Sequence, residues 1–256
     1  FTQKVQNVQC GLCGNHCQMT VSVFQDGKRF ITGNRCDRPI TGKSNDDTLN
    51  LYAYKQQQLS QLMKNPGTGT RGKIGIPMVL NMYELLPFWH AFFTNLGFQV
   101  IVSPFSNRKL YQAGQGSIPS DTVCFPAKLT HGHIMALLKK DVDAIFYPCM
   151  SYNVDEGLGD NHYNCPVVAY YPEVLAGNIR ELEDTKFIYE YLNLEQRKDF
   201  VRLMPKIMQK YYPDLKTSDI HNAIEVAYTA YRKHMEDTRK EAERMMTEAR
   251  NEGKRI

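Results

Sequence analysis

Four cysteines near the start of the chain have the spacing of metal ligands. Cys10, Cys13 and Cys17 follow one another as Cys-x2-Cys-x3-Cys, and Cys36 lies eighteen intervening residues further on. Thiolates brought together by tight turns bind metals, and four of them complete the tetrahedron around zinc or hold one iron–sulfur cubane. The sequence therefore predicts a metal site here and leaves zinc and an iron–sulfur cluster as open alternatives.

Three further cysteines are spread over the middle of the chain. Cys124 stands just before Phe-Pro at the start of a predicted helix, Cys149 follows a predicted strand in FYPCM, and Cys165 lies in HYNCP. The amides of a helix N-terminus stabilise a thiolate, which makes Cys124 a candidate functional group. Free cysteine is also among the most buried residue types, so inert buried thiols are the competing interpretation.

Composition and charge exclude several classes of function. A net charge of +4, from 31 basic and 27 acidic side chains, is too small to predict nucleic-acid binding. No run of roughly 18 apolar residues predicts a membrane span. Seven cysteines are an odd number, which argues against a disulfide framework and favours a reducing compartment. We expect a cytoplasmic protein, and a chain that begins with Phe1 is expected to be a fragment of a longer one.

The pattern along the chain divides into four regions. Residues 1–50 are expected to form a cysteine-rich metal-binding module, 51–72 a linker, 73–180 an α/β domain and 181–256 a helical extension. In the first region, TVSVF and RFIT flank Asp26-Gly27, a strong hairpin signal that would return Cys36 towards the other cysteines. The Gly- and Pro-rich KNPGTGTRG marks the clearest boundary.

The α/β region alternates apolar runs with helical patterns. KIGIPMVL, FQVIVSP, DAIFYP and PVVAYYP are predicted strands, and the helical stripe of Trp89, Phe92 and Phe93 is predicted core. Strands spaced by helices predict a parallel sheet with flanking helices, which binds ligands beyond the carboxyl ends of its strands. Cys149 follows the third predicted strand whereas Cys165 precedes the fourth, so we expect these two cysteines at opposite edges of the sheet. Cys124 and Cys149 are therefore stronger candidates for site residues than Cys165.

Longer motifs in this region resemble a known family. GIPMVLNMYELLPFWHAFFTNLGF, SIPSDTVCFPAKLTHGHI, FYPCM and NHYNCPVVAYYPEV resemble the uncharacterised domain of proteins related to 2-hydroxyacyl-CoA dehydratase activases. The resemblance covers roughly residues 8–180. The domain also resembles the iron–sulfur subunits of 2-hydroxyacyl-CoA dehydratases and of double-cubane-cluster proteins. In that family the domain lies downstream of ATPase modules in a long chain.

The resemblance implies a redox role. It makes Cys124, Cys149 and Cys165 candidate ligands of an iron–sulfur cluster, in which three thiolates would leave one iron open. ATP hydrolysis on the ATPase modules of the parent chain would drive a low-potential electron into this domain, and from there to a redox partner protein or a bound CoA thioester. Such chemistry belongs to anaerobic metabolism. Neither GxxxxGK[ST] nor a strand-coupled GxGxxG is present, so no ATPase activity is predicted for these residues themselves.

Two alternatives stay open. The domain could be a CoA-ester dehydratase-like enzyme in its own right, or a zinc-stabilised interaction scaffold without redox activity. Around the three cysteines, Lys128, His131 and His133 could face a cluster or an anionic CoA moiety, with a structural role as the plainer interpretation. Tyr152, Asn153, Asp155 and His162 have the same two interpretations, since they belong to the loop that would cover such a site.

Overall fold

The computed structural model describes residues 3–12, 16–42, 49–155, 157 and 159–253. The chain divides into two compact units, Phe1–Asn50 and Leu51–Ile256. None of the described helices combines the length and the apolar character needed to span a bilayer.

The first unit is built on an antiparallel sheet in the order β1-β2-β3. Its elements are β1 (Gln3–Gln9), β2 (Gln18–Phe24), β3 (Arg29–Thr32) and a short helix α1 (Arg38–Thr41). The predicted hairpin is confirmed: Gly27 adopts φ +79° in the turn and its N–H donates to the Phe24 carbonyl over 2.9 Å. Glycine suits that position because it has no Cβ to clash at positive φ.

The second unit contains a parallel sheet in the order β5-β4-β6-β7. Its elements in chain order are α2 (Leu51–Lys64), β4 (Lys73–Ile76), α3 (Asn81–Asn95), β5 (Gln99–Val102), α4 (Arg108–Gly114), α5 (Phe125–Leu138), β6 (Ala144–Phe146), α6 (Pro166–Asn178), β7 (Lys186–Ile188), α7 (Arg197–Tyr211) and α8 (Thr217–Gly253). The predicted class, a parallel sheet with flanking helices and a helical carboxyl-terminal region, is confirmed.

The helices cover both faces of this sheet. On one face the Phe146 ring packs 4.6 Å from Trp89 and 4.9 Å from Phe93 of α3, between ring centroids. On the other face a Cβ added to Gly75 would touch Leu137 of α5 and Ile145 of β6. The predicted core stripe is therefore buried, and apolar contact on both faces explains why these strands read as continuous apolar runs.

The structure corrects two predicted elements. The segment 51–72 was expected to be a linker, but Leu51–Lys64 is a helix that packs against α3 and α8. PVVAYYP was expected to be the fourth strand, but it begins α6, and the fourth strand is Lys186–Ile188. Short apolar runs do not separate a strand from a buried helix by periodicity. Here Ala169, Pro172 and Leu175 are buried at a spacing of three, which is one helical face.

Helix α8 changes character along its length. Its first half buries residues at helical spacing, among them Ile220, Ile224 and Tyr231. Its second half carries exposed ion pairs three and four residues apart, including Lys240 with Glu236 at 3.4 Å. Exposed pairs of this kind contribute little to stability and need no partner protein.

Helices α4 and α5 meet at two glycines. A Cβ on Gly132 would lie 2.0 Å from the carbonyl oxygen of Leu110, and one on Gly114 would lie 2.2 Å from the backbone nitrogen of Gly132. Backbone atoms cannot give way as a flexible side chain can. The approach of α4 to α5 therefore depends on the absence of side chains at both positions.

We predict that Gly132→Ala lowers the free energy of unfolding by about 1–3 kcal/mol, because the added methyl group forces the two helices apart. Gly177→Ala in α6 is the matched control, since a Cβ there meets nothing within 4 Å. It should raise stability by about 0.5–1 kcal/mol through helix propensity. Urea unfolding followed by circular dichroism measures the free energy of unfolding of both variants. A Gly132→Ala protein as stable as the wild type would contradict the close approach of α4 to α5.

Candidate functional site at the carboxyl edge of the sheet

The strand order creates a topological switch point in the second unit. The chain leaves β4 towards β5 on one side and later returns to β6 on the other side of β4. In open parallel sheets the crevice beyond the carboxyl ends of two such strands is the usual ligand site. Helices α5 and α6 begin at this edge, so their N-termini face the same region.

Cys124 and Cys165 occupy equivalent positions, each as the N-cap residue of a helix. Cys124 precedes α5 with φ −60° and ψ 149°, and Cys165 precedes α6 with φ −61° and ψ 153°. Both side chains are exposed, and α5 packs against α6. The Cys165 sulfur accepts a hydrogen bond from the Val168 N–H over 3.4 Å. The free amides and the dipole of a helix N-terminus favour a negatively charged sulfur.

Cys165 lies at the carboxyl edge, contrary to the expectation from sequence. Because the segment after it is a helix and not a strand, the chain has not yet returned to the amino edge. The N–H of Met150, just past β6, donates to the Ala169 carbonyl in the first turns of α6 over 3.1 Å. The reason for ranking Cys165 below the other two cysteines is therefore wrong.

Cys149 lies at the same edge but is fully buried. It continues the ladder past β6: its N–H donates to the Glu190 carbonyl over 3.1 Å, and its carbonyl accepts from the Leu192 N–H over 2.9 Å. Burial, with the nearby Glu173 carboxylate, raises the pKa of the Cys149 thiol to about 12. The thiol is therefore neutral in this conformation.

Two buried tyrosines connect the surroundings of Cys124 and Cys149. Tyr171 of α6 interacts electrostatically with Cys124, and burial followed by that interaction raises the pKa of its hydroxyl. Tyr147, two residues before Cys149, interacts with both Cys149 and Tyr171, and its pKa is raised mainly by burial. Sequence reasoning missed both tyrosines, although Tyr147 stands beside Cys149 in FYPCM.

His131 belongs to the same network, and its hydrogen bonds define its tautomer. Ser117 donates to the Gly114 carbonyl over 3.0 Å, so its oxygen is left to accept from His131 Nδ1–H over 2.8 Å. His131 Nε2 then accepts from the Tyr171 hydroxyl over 3.0 Å. His131 is fully buried, and burial lowers its pKa to about 4. It is a neutral imidazole that orients Tyr171.

His133 is held in a separate serine network. The Met78 N–H donates to Ser103 Oγ over 2.8 Å, so the Ser103 proton is directed to His133 Nδ1 at 2.6 Å. His133 Nε2–H is then the donor to Ser106 Oγ at 2.9 Å. Burial lowers the pKa of His133 to about 4. These contacts hold α5 against the segments that follow β4 and β5. They give His133 a structural role, which was the plainer of the two expectations from the sequence.

The other residues named from the sequence have local partners. Lys128 Nζ donates to the Asp121 carbonyl over 2.7 Å, which anchors the segment before α5. In the loop 150–164, the Tyr152 ring lies 4.3 Å from that of Tyr163, and the Asn153 N–H donates to the His162 carbonyl over 3.1 Å. Asp155 Oδ1 lies 3.6 Å from His162 Nε2. The loop is thus folded on itself beside the site.

The turn after β4 contributes an unusual backbone conformation to the same edge. Leu80 adopts φ 50° and ψ −133°, in a region that side chains disfavour. The next residue, Asn81, is buried, and its Oδ1 has no hydrogen-bond partner among the described residues. Strained residues cluster at ligand sites. Both positions lie at the switch point, and neither was singled out from the sequence.

The described residues do not gather the thiols into one ligand set. Among residues 3–12, 16–42, 49–155, 157 and 159–253, no group of three or more His, Cys, Asp or Glu side chains could hold a metal ion. Cys124, Cys149 and Cys165 share one edge of the sheet as separate thiols. The described residues therefore form no closed three-thiolate group of the kind that an iron–sulfur centre needs.

The amino-terminal cysteines are described in part. The Cys10 N–H donates to the Cys17 carbonyl over 2.8 Å. These two residues therefore lie opposite each other, just after the end of β1 and just before the start of β2. Cys36 is exposed beyond β3. Cys13 lies outside the described residues, so the four-cysteine metal site stays a prediction.

Comparison with known proteins identifies the class of domain. The family described as the CoA enzyme activase uncharacterised domain matches residues 73–256, and the chain belongs to that family. The match begins at the first strand of the parallel sheet and includes the whole carboxyl-edge site. No curated protein and no solved structure is similar enough to the chain to be matched.

We predict a stability that falls in mild acid because of His131 and His133. Both have pKa values of about 4 in the folded state, against about 6.5 in an unfolded chain. Between these values the unfolded state binds more protons. The stabilising contribution is therefore complete above about pH 6.5 and is lost as the pH falls towards 4, by about 1.4 kcal/mol per pH unit for each histidine.

Urea unfolding between pH 7.5 and pH 4.5 measures this slope. His133→Asn should lower the slope by about 1.4 kcal/mol per pH unit, because one buried neutral histidine is lost. A His133→Asn slope equal to that of the wild type would show that His133 is not buried as a neutral group.

Proposed function

We propose that this chain is the iron–sulfur redox domain of a CoA-enzyme activase. ATP hydrolysis on the activase's ATPase modules would drive a low-potential electron into a cluster at Cys124, Cys149 and Cys165. The electron would pass on to a partner enzyme of the 2-hydroxyacyl-CoA dehydratase type. The observation that carries the proposal is that all three thiols lie at the carboxyl edge of one sheet, two of them as helix N-caps. Membership of the CoA enzyme activase family supports the activating role.

The two exposed thiols are the primary ligands in this proposal. Iron–sulfur clusters with thiolate ligands carry net negative charge, and the N-terminal amides of α5 and α6 stabilise such charge. Cys124 and Cys165 already adopt extended N-cap backbones, so each thiol can bind a metal without unwinding its helix. When bound, the cluster would supply one-electron transfer.

Cys149 is the third ligand in the proposal and has the larger rearrangement to make. Its buried thiol, whose pKa is raised to about 12, would have to lose its proton before it could bind iron. Pro172 makes this part of α6 adaptable, because proline has no N–H and removes one helical hydrogen bond beside Glu173.

The four amino-terminal cysteines have a distinct proposed role. Cys10, Cys13, Cys17 and Cys36 would bind zinc or a second cluster and stabilise the first unit. This site and the carboxyl-edge site can be told apart by substitution, because they share no cysteine.

We predict that anaerobic reconstitution with iron and sulfide loads the carboxyl-edge site. Iron, acid-labile sulfide and zinc are measured per chain, with the visible absorption and the paramagnetic resonance of the reduced protein. Cys124→Ser and Cys165→Ser should each remove the iron and sulfide bound at this edge, because a hydroxyl is a poor substitute for a thiolate.

Cys36→Ser is the control for this measurement. It should change only the metal bound by the first unit. Zinc without iron, at a level unaffected by Cys124→Ser and Cys165→Ser, would contradict the redox proposal and leave a zinc-stabilised scaffold.

A further inference from the structure

Exposed tyrosines lie together beside α6, past the carboxyl ends of β6 and β7. The exposed fraction is 62% for Tyr163, 43% for Tyr170 and 51% for Tyr191. The ring centroids of Tyr170 and Tyr191 are 6.1 Å apart, and those of Tyr152 and Tyr163 are 4.3 Å apart. Ser151 Oγ, next to Tyr152, donates to the Tyr170 hydroxyl over 3.4 Å and connects the two pairs. These four residues form one tyrosine surface.

The segments that form the tyrosine surface are acidic. Residues 149–179, which contain three of the four tyrosines, include no lysine or arginine. Residues 187–196, which contain the fourth, include none either. The chain as a whole carries a net charge of +4, so this surface has the opposite sign to the rest of the molecule. Its described carboxylates belong to Asp155, Asp160, Glu173, Glu195 and Glu190, of which the last is paired with Lys210 of α7.

Tyr191 and Glu173 present a ring and a carboxylate side by side. The Tyr191 hydroxyl donates to Glu173 Oε1 over 2.5 Å, and both residues are exposed. In the described part of the chain no lysine or arginine forms an ion pair with Glu173. Elsewhere in the same domain Arg197 lies 4.6 Å from the ring centroid of Tyr228 and is paired with Glu225. Tyr191 and Glu173 offer the same two groups to a guanidinium of another molecule.

The segment that contains Tyr191 also continues an open edge of the parallel sheet. Strand β7 is an outer strand, and no described strand pairs with its free side. Beyond β7 the ladder continues, since the Cys149 N–H donates to the Glu190 carbonyl and the Leu192 N–H donates to the Cys149 carbonyl. Backbone groups alternate in direction along a strand, so those of Tyr189 and Tyr191 point away from this ladder. Such an edge accepts an extended segment from another chain.

We propose that the tyrosine surface, together with Glu173 and the open edge at Tyr191, docks an extended, arginine-bearing segment of a partner protein. Strand addition supplies main-chain hydrogen bonds, and the rings and carboxylates select the side chains. Arginine fits because its planar guanidinium stacks on an aromatic ring and also binds a carboxylate. Tyrosine and arginine are enriched among the side chains that contribute most to binding at protein interfaces. The inference goes beyond the proposed function and involves no metal.

The test measures fluorescence anisotropy of labelled nine-residue peptides titrated with the full, metal-free chain. We expect saturable binding of a peptide of alternating arginine and valine. The peptide with lysine in place of arginine should bind about tenfold more weakly, because an ammonium group does not stack on a ring as a guanidinium does. The peptide with glutamate in place of arginine should not bind. Methylation of every backbone amide of the arginine peptide should abolish binding, since strand pairing is then blocked.

Substitutions in the chain locate the docking surface. Tyr191→Ala should weaken binding of the arginine peptide about tenfold, because it removes the central ring. Glu173→Gln should weaken it about threefold, because it removes the charge and keeps an acceptor for the Tyr191 hydroxyl. Tyr52→Ala is the matched control and should leave the affinity unchanged. It removes a tyrosine that is 77% exposed on α2, which packs beside β5 at the other edge of the sheet.

The outcomes decide the inference independently of the redox proposal. Weaker binding by Tyr191→Ala and Glu173→Gln, with wild-type binding by Tyr52→Ala, supports the docking surface. An arginine peptide that does not bind, or that binds Tyr191→Ala with wild-type affinity, overturns the inference. Dimerisation of the chain that is lost in Tyr191→Ala also overturns it, because the surface would then join two copies. None of these measurements uses iron, so their failure leaves the proposed function intact.

Discussion

The hydrogen bond from the Met150 N–H to the Ala169 carbonyl joins the end of β6 to the first turns of α6, and the carboxyl-edge site depends on it. Pro172 lies one turn further along the same helix and has no N–H to donate to the Val168 carbonyl, which adjoins Ala169. This junction brings Cys149 and Cys165 to one edge although a long loop separates them.

Helix α5 is held at the carboxyl edge of the sheet by its close packing against α4. Gly114 and Gly132 let α4 and α5 approach until backbone touches backbone, and His131 and His133 then lie fully buried with serine partners. Both histidines are neutral in the folded state, so they serve as fixed hydrogen-bonding groups. His131 orients Tyr171 through the hydrogen bond from the tyrosine hydroxyl to His131 Nε2. The polar core of the site is thus built on the packing of α5.

This domain therefore has a carboxyl edge with three thiols, two buried tyrosines and a strained turn at Leu80. Local strain and unsatisfied groups concentrate where a fold is built for a ligand more than for stability. Within the part of the chain that the structure describes, Tyr147 and Asn81 each retain a polar atom without a hydrogen-bond partner. An apolar core would have been the more stable choice at both positions.

The sequence by itself determined the fold class, the first three strands of the parallel sheet, the hairpin at Gly27 and the core stripe of α3, because hydrophobic period and turn chemistry are local properties. The tertiary structure decided the identity of the segment after Cys165, since a short apolar run is strand or helix according to what it packs against. It also decided which edge Cys165 occupies and which hydroxyl is left unpaired. Hydrogen-bond satisfaction is a property of neighbours distant in the chain, and no local pattern encodes it.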